Sequence, residues 1–175
     1  MTVFRNRIIR AARLDAGLYE EVEADAGALG QAMAVVVLSG IAAGIGTFHY
    51  GGFSGMLVGT MGAVTGWFVW AYLTYFVGTK ILPERQTSAT PAELLRTTGF
   101  SSSPGIIRVL GIIPGIAEII MFGASVWMFV AMVIAVRQAL DYQSTLRAVV
   151  VCIIGWIIQV VFLVVLFSLF RKTPG

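Results

Sequence analysis

Uncharged positions run without a break from Ala26 to Thr79, 54 residues that are mostly apolar. As one helix this stretch would be about 81 Å long, against a hydrocarbon core about 30 Å thick, so it is expected to cross a bilayer twice. The turn is predicted at His49-Tyr50-Gly51-Gly52, where polarity and backbone freedom coincide. The first span then covers 29–48 and the second 54–77. Further on, Ile106–Phe170 carries only Arg108, Glu118, Arg137, Asp141 and Arg147, and Pro114-Gly115 divides its first part. Spans are read at 100–113, 116–136 and 146–170, the last closed by Arg171 and Lys172. The segment 100–113 is shorter than the roughly 20 residues of a full crossing. By length alone it reads either as a tilted span or as a re-entrant one.

Polar stretches define the rest. Thr2–Val22 has Phe4, Ile8, Ala11, Leu18 and Val22 on one helical face and Arg5, Arg10 and Arg13 opposite, with Arg7 and Asp15 intruding on the apolar side. It reads as one amphipathic helix, either lying in the membrane interface or packed on its own bundle. The acids Glu20, Glu21, Glu23 and Asp25 that follow are read as favouring the N-terminus of the first span. The connection Lys80–Arg96 contains Thr90-Pro91-Ala92-Glu93, a capping hydroxyl, a proline and a first-turn acid that predict a helix start. That short helix is expected along the cytoplasmic interface with Leu94 and Leu95 inward. Ser101–Gly105 then breaks the chain.

Composition agrees with a membrane bundle: charged residues make up 12% of the 175, against about 25% in a soluble domain. The division is thus residues 1–25 as an amphipathic segment and 26–172 as the transmembrane domain. Residues 1–25 hold nine of the 21 charged residues and no apolar core of signal-peptide length, so cleavage there is not expected. Whether four or five crossings are counted, ten of the 12 basic residues fall on the side of the N-terminus, which is therefore expected in the cytoplasm. Nucleic acid is not an expected partner, because no basic cluster is interleaved with aromatics.

Two groups of residues stand out. Gly55, Gly59, Gly62 and Gly66 lie on one face of the second span, and Gly40 and Gly44 repeat the spacing on the first. Such small-residue faces let helices approach closely, and packing within the chain is the preferred reading. Trp67, Trp70, Tyr72 and Tyr75 gather toward the other end of the second span, the outermost as an aromatic belt. Arg108, Glu118 and Gln159 are the polar side chains nearest the apolar core and are functional candidates by default. Each has a plainer role: headgroup snorkelling for Arg108, a hydrated interface for Glu118, an interhelical hydrogen bond for Gln159. Arg137 and Asp141 are spaced to pair on one helix face. His49 is the sole histidine and Cys152 the sole cysteine, so no metal set, cofactor site or nucleophile–base pair is expected.

Leu95–Gly115 (LRTTGFSSSPGIIRVLGIIPG) resembles the Yip domain family of Ypt-interacting-protein-like membrane proteins. So do Ser125–Trp127, Ala131–Tyr142 and Ser144–Ala148, while Ala12–Asp15 and Glu21–Asp25 resemble the start of bacterial members. The likeness covers almost the whole chain, strongest from Leu95 to Trp156. It implies an all-α, five-transmembrane-helix bundle with a cytoplasmic N-terminus in the bacterial inner membrane, and a hairpin at Pro114-Gly115. In that arrangement Arg108 and Glu118 would stand at opposite ends of the third span. Glu118 departs from the family pattern, where a small or apolar residue is usual. Eukaryotic members are linked to Rab-type GTPases, but the long N-terminal region of those proteins has no counterpart here, and that role is not carried over.

The leading expectation is a non-enzymatic membrane scaffold or accessory subunit, partnered by another membrane protein or a second copy. A small oligomeric transporter or channel lined by Arg108, Glu118 or Gln159 is the runner-up. Lipid sensing or membrane shaping through Thr2–Val22 is a third reading, and an enzyme acting on lipids the weakest.

Overall fold

The computed structural model describes residues 2–171, with side chains to residue 161. The described residues form helices only: α1 (Thr2–Ala12), α2 (Ala16–Ala24), α3 (Ala28–Gly46), α4 (Phe48–Phe76), α5 (Pro91–Phe100), α6 (Ala117–Ala139) and α7 (Thr145–Arg171). A π turn (Val77–Ile81) extends α4, and a 3-10 helix (Ser103–Ile112) follows α5. Three helices, α3, α4 with its π extension, and α6, are long and apolar enough to cross a membrane. Of the two charges read as closing the last span, Arg171 has no described side chain and Lys172 lies outside the described residues.

Local chemistry sets the breaks. Gly52 inside α4 has φ +57 and ψ −157, so the predicted turn is a short helical piece followed by a glycine kink. Gly115, at φ +86, makes the turn before α6. Thr90 caps α5 with a full capping box: its hydroxyl accepts from Glu93 N at 3.3 Å, and its own N–H donates to the Glu93 carboxylate at 2.7 Å.

The centre of the bundle is α5 with the 3-10 helix, which together touch α1, α2, α3, α4 and α6. Every residue from Leu94 to Ser101 is buried, which corrects the expectation of an interfacial helix with two leucines inward. The polar members bond locally: Thr97 and Thr98 hydroxyls donate to the Glu93 and Leu94 carbonyls, and Ser101 to Thr98. Trp67 Nε1 donates to the Leu95 carbonyl at 3.1 Å, so this tryptophan, the innermost of the four aromatics on the second span, is a core anchor. The third segment is also no α-helix. With Pro104 at its start it runs as a 3-10 helix, whose side chains eclipse every three residues. That repeat aligns Gly105, Arg108 and Gly111 along α3. A Cβ on Gly105 would stand 2.1 Å from Ser39 Oγ, and one on Gly111 3.1 Å from the Gly46 carbonyl.

Thr2–Val22 is two helices. Leu14 takes φ +63, and Asp15 caps α2 by accepting from Gly17 N at 3.0 Å. Ala11, Leu18, Tyr19 and Val22 are fully buried, so the pair packs on its own bundle. Arg7, the intruder on the apolar face, is the reason: it is 7% exposed and pairs with Glu21 and Asp25, each at 2.9 Å, and with Gln31 at 3.1 Å. Of the acidic run, Glu21 and Asp25 serve as counter-charges to Arg7 and Arg10, and Asp25 also acts at the α3 terminus as expected, its Oδ1 accepting from Gly27 N at 2.9 Å. The buried Arg96 of α5 donates to the carbonyls of Val22 and Glu23, which locks α2 over the bundle's end. Trp127 of α6 donates to the Ala12 carbonyl at 2.9 Å and fixes α1 in turn.

Candidate functional site

The sequence-level candidates converge on one cavity of about 420 Å³ among α3, α4, the 3-10 helix, α6 and α7. Gly40, Gly44, Gly55, Gly59 and Gly66 all line it, together with Arg108 and Gln159. Trp67, Trp70, Met128 and Met132 make much of the remaining wall. Gly62 does not reach the cavity and is exposed on the outer side of α4. Glu118 is also outside it, exposed in the first turn of α6, where a negative charge suits the helix N-terminus.

The two glycine repeats have different surroundings. On α3, a Cβ at Gly40 would lie 3.1 Å from Thr60 Cα, and one at Gly44 2.9 Å from Met56 Cα. These glycines set the close crossing of α3 on α4, as a small-residue repeat allows. On α4, Gly55, Gly59 and Gly62 are exposed, and among the described residues nothing lies within 4 Å of where their Cβ atoms would be. Only Gly66 meets a neighbour, the Gln159 amide of α7 at 3.8 Å. The preferred expectation, packing within the chain, describes the α3 repeat and not the exposed part of the α4 repeat.

Arg108 is half-buried beside this cavity. Its Nη2 donates to Ser125 Oγ at 3.2 Å, and that hydroxyl donates to the Met121 carbonyl at 2.8 Å. Its Nε is buried with no acceptor, and among the described residues no carboxylate pairs with it. The Arg108 carbonyl packs on Gly46, the last residue of α3. The 3-10 helix thus carries Arg108 toward the end of the bundle where α6 begins, not toward the end held by α1 and α2. Arg108 and Glu118 belong to the same end, which corrects their expected separation, although they do not pair.

Several positioning side chains escaped the sequence reading. Tyr142 OH stands 2.9 Å and 2.6 Å from the Gly78 and Leu82 carbonyls, which the π turn presents to its one proton. Arg137 makes no ion pair with Asp141; it donates to the Tyr142 and Gln143 carbonyls. Asp141 itself sits at φ +53 just past α6. These anchors hold the α6–α7 connection to the end of α4 and so fix the wall that Gln159 supplies. No periodicity marks them, because each contact joins residues 60 or more apart or lies in an irregular turn.

At the opposite end, Glu23 is half-buried and its carboxyl is pushed up to about 7, first by burial and then by Asp141, Glu93 and Glu20, against the pull of Arg96. Glu21 is held below the usual carboxylate range by hydrogen bonds from Arg10 and Arg7. Among the described residues no three His, Cys, Asp or Glu side chains group to hold a metal ion.

Comparison with known families matches the description Yip1 domain over residues 17–167. Neither the curated proteins nor the solved structures contain a match.

Proposed function

This chain belongs to the Yip1 domain family, and from that premise we propose that it is a non-enzymatic accessory protein of the membrane. Its working surface is the open face of α4, against which it holds another membrane component. The observation that carries this is the exposure of Gly55, Gly59 and Gly62 with no described neighbour within 4 Å. Small residues that meet no described neighbour leave a helix surface another chain can approach to backbone contact. The partner is a membrane protein or a second copy of this chain.

The proposal takes five crossings, adding α5 with its 3-10 helix, and α7, to the three apolar helices. Reach supports it: α5 rises about 15 Å and the ten residues of the 3-10 helix about 20 Å, more than the same residues would span as α-helix. The basic residues support a cytoplasmic N-terminus, and the likeness to bacterial members supports the inner membrane. An enzymatic role has no comparable support. Ser101–Ser103 pack near the middle of α3, with Gly105 against Ser39, whereas His49 belongs to α4, past the end of α3 at Gly46, itself about 10 Å along the axis from Ser39. A transport path through Arg108, Glu118 and Gln159 is weakened because Glu118 stands away from the cavity.

The test is affinity capture of the full chain in mild detergent, with mass spectrometry of the stoichiometry, for the native protein and for Gly59→Leu with Gly62→Leu. A constant partner or a homo-oligomer should be recovered with the native chain and lost from the double variant. Unchanged assembly in that variant would refute the open face as the docking surface.

A further inference from the structure

The geometry points to an anionic phospholipid of the surrounding bilayer as the occupant of the cavity, its phosphate on Arg108 and one acyl chain along the glycine wall of α4. This rests on the open-face reading above, since Gly55 and Gly59 belong to both surfaces.

Charge comes first. A guanidinium offers five N–H donors, and among the described residues Arg108 has one neutral acceptor, Ser125 Oγ, while its Nε has none. A cation held in a membrane domain with no counter-charge is costly. A phosphate oxyanion supplies that counter-charge and accepts the planar donor edge in pairs. The polar groups elsewhere on the cavity wall, such as Thr98, Ser102 and Gln159, carry no charge and do not replace it.

Depth comes second. The Arg108 carbonyl is level with Gly46, where α3 ends, and Ser125 is two turns beyond the start of α6. The guanidinium therefore lies about 12 Å inside the start of α6, nearer that end of the helix than the other, so a phosphate that pairs with it is drawn inward from the headgroup level. A small soluble anion would satisfy the charge but leave the apolar walls below it unfilled.

Shape comes third. The cavity follows α4 from Gly55 to Trp70, about 22 Å of helix. That exceeds the half-thickness of a hydrocarbon core, about 15 Å. Its volume of about 420 Å³ lies within the range of roughly 300–1,000 Å³ typical of small-molecule sites. Gly55 and Gly59 are both exposed and part of the lining, so they form an opening toward the bilayer. One chain enters by that opening and the second stays in the surrounding lipid. Side chains in place of these glycines would close it.

The test uses the full chain in nanodiscs of phosphatidylcholine and phosphatidylglycerol in equal parts, released into native mass spectrometry to count retained lipid. The native chain should retain phosphatidylglycerol in preference to phosphatidylcholine. Arg108→Gln should reduce that preference about tenfold, and Arg108→Lys should restore part of it. Gly59→Trp should block retention with the charge still present. Equal retention of both lipids by the native chain would overturn the assignment, as would undiminished selectivity in a folded Arg108→Gln. Displacement of the retained lipid by oleate would overturn it too, transferring the site to a free fatty acid. Gly62→Leu separates the two proposals because Gly62 does not line the cavity. Intact association in that variant would count against the accessory reading, while the lipid count still decides this one.

Discussion

Gly44 and Gly62 belong to similar small-residue repeats, yet exchange for alanine should move stability in opposite directions at the two. In α3, a Cβ at Gly44 would lie 2.4 Å from Met56 Cγ, 2.8 Å from its Cβ and 2.9 Å from its Cα. A change of rotamer can withdraw Cγ but not Cβ or Cα, so the helices themselves must separate. Forcing carbon into a packed contact costs about 1–3 kcal/mol. The better helix propensity of alanine returns about 1 kcal/mol, which leaves Gly44→Ala destabilised by up to about 2 kcal/mol. Gly62 is exposed, with nothing described within 4 Å, so only the propensity gain applies. Gly62→Ala should be stabilised by up to about 1 kcal/mol. The gap, which equals the packing cost of about 1–3 kcal/mol because the propensity gain is common to both, is measurable by reversible unfolding in mixed micelles, with a denaturing detergent as titrant and circular dichroism as readout. Variants that shift alike, or a more stable Gly44→Ala, would refute the claim that the α3 repeat is closed and this part of the α4 face open.

Other contacts yield further expectations. Arg7→Ala should destabilise the chain by about 1–3 kcal/mol, less than for a fully buried pair because Glu21 and Asp25 keep about 40% of their side-chain exposure. A double-mutant cycle with Glu21→Gln should return a coupling above about 0.5 kcal/mol, and additivity would sink the hub role. Glu23 has a folded pKa of about 7, above its ordinary 4.5, so the folded state loses stability from this group as pH rises through that interval. Glu23→Gln should therefore raise Tm at pH 8 and leave it almost unchanged near pH 4.5. A Tm difference independent of pH would contradict the burial of that carboxyl.

The sequence was most informative where one short segment carries the whole cause. An uncharged run too long for one crossing forces a turn, and the kink falls at Gly52 because glycine alone accepts that backbone at no cost. Thr90, Pro91 and Glu93 start α5 by bonds within one helical turn, and Pro114-Gly115 ends the 3-10 helix for equally local reasons. These features determined the helical class, most of the boundaries and the membrane setting. Spacing also put Gly40, Gly44, Gly55, Gly59, Gly66, Arg108 and Gln159 on the page as candidates. It could not say that they meet around one cavity, because a repeat records the shape of a helix face and not what stands opposite it. Tertiary structure alone decided that α3 uses its glycines against α4 while Gly55, Gly59 and Gly62 of α4 meet no described neighbour. It also decided that α5 is central rather than interfacial: Thr97, Thr98 and Arg96 look solvated in sequence, but backbone carbonyls satisfy them inside the bundle. Arg7 is the clearest case. On a helical wheel it spoils an apolar face, and in the fold it pairs with acids 14 and more residues away that no local pattern connects to it.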